Sequence, residues 1–172
     1  MKRLVLSACL SPLLLAGCGT PEPQVAIPAA LQPPPGQSRT LEALATGVQV
    51  YVCGARADGK GVAWTFRGPE AVLKDRAGKV LGRHFAGPTW EAPDGSAVVG
   101  EIKASDPGPD PTAIPWLRLQ GRGNGVKGLF AGMLTIQRVA TTGGLAPIEV
   151  CNMDRFNQEW RSPYTATYYF YR

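Results

Sequence analysis

Glycine and proline punctuate this chain so densely that a long helix has nowhere to run. The 172 residues include 21 glycines and 16 prolines, and each disfavours a helix interior, glycine through backbone entropy and proline through its missing N–H and its ring. The stretches between them are β-rich. Val48-Gln49-Val50-Tyr51-Val52-Cys53 alternates weakly between apolar and polar, and Ala63-Trp64-Thr65-Phe66 alternates cleanly, as half-buried strands do. Asp75-Arg76-Ala77-Gly78 and Pro93-Asp94-Gly95-Ser96 are each flanked by β-rich runs and read as hairpin turns, because Asp and Gly accept turn geometry that other residues resist. Residues 114–119, 130–140 and 164–171 read as further strands, with residues 121–125 and 141–144 as loops. The pattern predicts an all-β domain, a single antiparallel β-sandwich or partly closed β-barrel. At most one or two short helices are expected, at residues 41–45 or around 154–159.

The N-terminus carries a different message. Lys2 and Arg3 precede an apolar stretch over residues 4–16 and a run of small residues, the order of a secretory signal. The stretch is too short and interrupted to match the roughly 20 apolar residues of a membrane span. Leu15-Ala16-Gly17-Cys18 resembles the bacterial lipobox, which implies cleavage after residue 17 and lipidation of Cys18 by diacylglycerol and palmitate. An ordinary signal with a chance cysteine is the competing reading. Gly19 stands where an inner-membrane retention signal would have Asp, so the expected address is the outer membrane, facing the periplasm or the cell surface. Residues 18–40 then form the lipidated cysteine and a spacer with Pro21, Pro23, Pro28, Pro33, Pro34 and Pro35, extended at about 3.1 Å per residue where it adopts polyproline II. Residues 41–172 form one domain of ordinary size.

Of four cysteines, Cys9 leaves with the signal and Cys18 takes lipid. Cys53 and Cys151 remain as a pair in an oxidising compartment, where a disulfide is expected; two free thiols, one of them catalytic, is the alternative. Losing Lys2 and Arg3 lowers the formal charge from +5 to +3. The remaining Lys and Arg are scattered rather than striped, which argues against a nucleic-acid partner.

Few residues offer chemistry. His84 is the single histidine, which excludes zinc sites of three histidines, or of two histidines and a carboxylate, within one chain; no metal and no cofactor is expected. If Arg83-His84 and Trp90-Glu91 face each other across a hairpin, an imidazole lies near a carboxylate, and His84, Glu91 and Asp94 become the candidate acid–base group. A hydrogen-bonded structural histidine is the competing reading. There is no Gly-x-Ser-x-Gly elbow, and Gly121-Arg122-Gly123-Asn124-Gly125 lacks the ending of a phosphate loop. Tyr51, Trp90, Trp116 and Tyr169 are candidates for stacking on a ligand, in competition with plain core packing. In the last strand, alternation sends Tyr164, Tyr168 and Phe170 to one face and Tyr169 and Tyr171 to the other.

A series of motifs runs in order through residues 47–171. It includes Gly47-Val48-Gln49-Val50-Tyr51-Val52-Cys53, Trp64-Thr65-Phe66, Gly82-Arg83-His84, Gly87-Pro88-Thr89-Trp90-Glu91, Ile114-Pro115-Trp116-Leu117, Ile136-Gln137-Arg138, Cys151 and the tyrosine-rich end. The series resembles the family called domain of unknown function 3455, found in exported bacterial and secreted fungal proteins. The resemblance implies an extracytoplasmic domain and no particular chemistry. The expectation is therefore an envelope-anchored lipoprotein that serves as a binding or structural module for a carbohydrate, a small ligand or a protein partner. The alternative is an enzyme with hydrolase-like acid–base or metal-assisted chemistry centred on His84, Glu91 and Asp94.

Overall fold

A computed structural model of the protein describes residues 26–172. The signal over residues 1–17, the lipidation site Cys18 and the first part of the spacer lie outside the described residues.

Eight antiparallel strands follow one another in space as they do in sequence. They are β1 (Arg39–Ala55), β2 (Val62–Lys74), β3 (Val80–Phe85), β4 (Thr89–Glu91), β5 (Ala97–Asp106), β6 (Trp116–Gly123), β7 (Thr135–Gly143) and β8 (Glu159–Tyr171). β1 pairs with both β2 and β8, so the sheet closes into a complete barrel and has no free edge. The all-β, antiparallel expectation holds, and the two alternatives of sandwich and partly closed barrel resolve into full closure. Close approach between β1 and β2 depends on Gly47, where an added Cβ would stand 2.1 Å from the Glu70 carbonyl oxygen.

Several local expectations change. Residues 41–45 are part of β1 rather than a helix, and the helix expected near 154–159 is a single 3₁₀ turn at Met153–Arg155. Gly121 and Gly123 belong to β6, and β7 runs through Gly143. At Gly121 the glycine serves contact rather than looseness, since a Cβ there would lie 2.5 Å from the Met133 carbonyl oxygen.

Alternation along the strands sorts the side chains into two clusters. Inside the barrel lie Ala43, Ala45, Leu73, Trp90, Val98, Leu119, Ile136, Tyr168 and Phe170, among others. The β6–β7 connection plugs one end with Phe130 and Met133, both almost inaccessible. Outside the barrel, Trp116, Val139, Tyr169 and Tyr171 form a second cluster under Leu31. The alternation expected for β8 is therefore correct, and both of its faces are covered.

Leu31 ends a 3₁₀ turn (Ala29–Leu31) that lies against this outer face. The Gln137 side-chain amide donates to the Leu31 carbonyl at 2.6 Å and accepts from the Tyr171 hydroxyl at 2.5 Å. Chain whose composition reads as spacer is thus packed on the barrel from about Ile27, and Ser38 exchanges backbone hydrogen bonds with Arg172. Cys53 and Cys151 form the expected disulfide, which ties the end of β1 to the long β7–β8 loop.

Candidate functional site

The interior is filled unevenly. From the Phe130 plug an aromatic column rises through Phe170, whose ring centroid is 5.1 Å from that of Phe130, to Trp90, which meets Phe170 and Tyr168 edge to face. The His84 imidazole caps the column, flat on the Trp90 indole at 4.4 Å. Above His84 the filling stops. A cavity of about 550 Å³ opens toward the end of the barrel that carries the β1–β2, β3–β4, β5–β6 and β7–β8 connections. That volume falls within the roughly 300–1,000 Å³ of small-molecule sites.

Most of the cavity wall is apolar, with Phe66, Pro69, Pro88, Ile102, Ile114, Pro115 and Leu117. The polar lining groups are Gln49, Tyr51, His84, Ser105 and the arginines Arg67 and Arg138; no Asp or Glu contributes. Arg138 donates through Nε and Nη2 to the Pro115 carbonyl at 3.1 and 2.8 Å. Among the described residues no carboxylate pairs with it. Its charge reaches Tyr51, His84, Tyr164 and Tyr168. Burial outweighs that charge and raises the pKa of Tyr51, Tyr164 and Tyr168, so all three are neutral phenols.

His84 is likewise neutral, because burial pushes its pKa down to about 3, against the opposing effect of the hydrogen bond it donates to the Thr89 backbone carbonyl. Its Nδ1 lies 2.8 Å from the Thr89 carbonyl oxygen. A carbonyl only accepts, which assigns the proton to Nδ1 and leaves Nε2 with a lone pair.

Buried polar atoms without partners cluster in this part of the barrel. Gln49 is 1% exposed, and its side-chain N–H donors meet no acceptor. Trp90 Nε1 and the hydroxyls of Tyr164 and Tyr168 are also unpaired. The two hydroxyls adjoin one another and Arg138 but lack good hydrogen-bond alignment. Native interiors seldom leave such groups unsatisfied, so a cluster of them beside a cavity calls for an explanation.

The residues singled out from sequence are not brought together. Register places Arg83 opposite Glu91 and His84 opposite Trp90. The charged pair therefore forms outside the barrel, Arg83 Nη2 to Glu91 Oε1 at 2.9 Å, and the imidazole meets an indole instead of a carboxylate. Asp94 is at the plugged end, where it accepts from the Ser96 amide and hydroxyl at 2.8 and 2.6 Å and from the Leu129 amide at 2.8 Å. The Ser96 hydroxyl first, then the amides of Leu129 and Ser96, hold its pKa below the usual carboxylate range. His84, Glu91 and Asp94 thus occupy the interior, the outer wall and the plug. Among the described residues no three His, Cys, Asp or Glu side chains are grouped as metal ligands would be.

Of the aromatic candidates, only Tyr51 lines the cavity, its hydroxyl donating to the Gly144 carbonyl at 2.7 Å. Trp90 belongs to the interior column, while Trp116 and Tyr169 pack in the outer cluster. Arg138 was missed as a site residue. A signal for Arg138 existed: it stands two positions after Ile136, in phase with a buried side chain on a β-branched strand.

Fold and cavity together define a small, closed antiparallel barrel, plugged at one end and hollow at the other. A family model described as protein of unknown function (DUF3455) matches residues 34–172, and the chain belongs to that family. No curated protein and no solved structure matches it.

Proposed function

We propose that this protein is an exported binding module, anchored in the outer membrane through lipid on Cys18, whose barrel takes a small and largely apolar molecule into its open end. The cavity above His84 carries this reading: about 550 Å³ walled chiefly by Phe66, Ile102, Ile114, Leu117 and three prolines. Burying an apolar ligand there removes surface from water at roughly 25 cal/mol per Å². The cavity favours a small ligand over a carbohydrate stacked on surface rings, since Trp90, Trp116 and Tyr169 are each under 9% exposed.

Titration with the neutral dye N-phenyl-1-naphthylamine tests the cavity. Saturable one-to-one fluorescence enhancement is expected, with loss of the signal in Leu117→Trp, whose circular dichroism should stay that of a β protein. Absence of saturable binding, or equal binding by the filled variant, overturns the reading. Cys18→Ser tests the anchor: the protein should leave the membrane fraction and lose palmitate labelling, and unchanged fractionation would count against lipidation.

A further inference from the structure

We infer that the cavity selects an anionic amphiphile, a single carboxylate on an apolar body, with the carboxylate received by Arg138 and Gln49. This rests on the cavity being a ligand site and names the chemistry of its ligand.

Charge is the first ground. The lining contains two arginines and no acidic residue; Arg138 bonds the Pro115 carbonyl through Nε and Nη2, and its other neighbour, the Tyr168 hydroxyl, makes no well-aligned hydrogen bond with it. A guanidinium has five N–H donors, so Arg138 retains donors for a planar two-oxygen acceptor. A partly buried cation facing apolar walls without a counter-ion is costly, and an entering anion supplies what the wall omits.

The second ground is independent of charge. Gln49, 1% exposed and lining the same cavity, holds its side-chain N–H donors without an acceptor. A ligand carboxylate gives those donors an acceptor, whereas an alkane or a ligand cation does not.

The distribution of lining groups also sets an orientation. Gln49 is nearly inaccessible and Arg138 is half-buried, while Phe66 and Ile102 are 49% and 56% exposed. The head therefore enters first and the apolar body lies toward the mouth. Arg67, exposed and free of ion pairs among the described residues, adds positive potential that attracts anions.

Calorimetric titration of the protein with decanoate, decanol and decylamine tests the inference. Decanoate should bind one to one and about ten- to a hundredfold more tightly than decanol, the range for hydrogen bonds to a charged group, and decylamine should bind most weakly. Arg138→Gln should bring the decanoate-to-decanol affinity ratio close to one, and Arg138→Lys should restore part of it. Gln49→Glu, which puts a carboxylate beside the cavity in advance, should lower the same ratio and covers the case in which Arg138→Gln does not fold. Equal affinity for decanoate and decanol, or a ratio unchanged in both variants, overturns the anion inference and leaves the apolar cavity reading standing. If neither compound binds, both fall.

Discussion

The imidazole of His84 lies parallel to the indole of Trp90, with centroids 4.4 Å apart and planes 9° from coincidence. His84, resting on Trp90, forms the floor of the cavity, and its burial rather than the stack favours the neutral ring. The folded-state pKa of about 3 lies below the ordinary value of 6.5. Between those values the unfolded chain binds a proton that the native chain does not, so stability falls as pH falls, by about 1.4 kcal/mol per pH unit. The carboxylates whose pKa values are lowered, among them Asp94 and Glu101, begin to add their own loss as pH falls below about 5. The loss from about pH 6.5 to 5 is therefore assigned to His84. Urea denaturation across that range should show it in the native protein, and His84→Phe should flatten it; an equal slope in the variant would refute the assignment.

Leu31 is fully buried although it lies in chain with the composition of a spacer. Leu31→Ala should destabilise the domain by about 2–5 kcal/mol, as for other buried leucines. Chemical denaturation measures it. A change within error would mean that the 3₁₀ turn over Trp116 and Tyr169 contributes no packing energy.

Cys53 and Cys151 close a sequence separation of 98 residues. Restricting the unfolded chain over such a loop is worth about 4.7 kcal/mol in the chain-entropy description. The double variant Cys53→Ser, Cys151→Ser should lose stability on that scale, and non-reducing peptide mass spectrometry of the native protein should show the two cysteines linked. Two alkylatable thiols in the native protein would remove the basis for the prediction.

Asp94 fastens the plug through Ser96 and Leu129, and the Ser96 hydroxyl accepts in turn from the Phe130 amide at 3.0 Å. Asp94→Ala should speed hydrogen exchange at the Leu129 and Phe130 amides and lower Tm. Dye binding at the opposite end should be unaltered. Loss of binding without loss of stability would instead give Asp94 a role at the ligand site.

Much of the architecture was legible in residues 39–172. Glycine and proline spacing excluded long helices, the Asp-Gly turns marked the β2–β3 and β4–β5 hairpins, and period-two alternation divided the tyrosines of β8 correctly. Each of these is a local property, set by backbone conformation or by which side of a strand a residue occupies. The disulfide was legible by elimination, because only two cysteines remained in the expected domain.

Closure and the site were decided by tertiary structure. That β1 pairs with β8 depends on contacts between residues more than a hundred positions apart, and no local propensity encodes them. A one-residue difference in register would place His84 opposite Glu91; the observed register places it on Trp90 and leaves Glu91 to Arg83 outside. Gln49 and Arg138 belong to one site because the barrel closes, bringing β1 and β7 to the same hollow on either side of β8. Sequence by itself determined which faces of the strands would be buried. The long-range register determined which polar groups share the space that those faces leave unfilled.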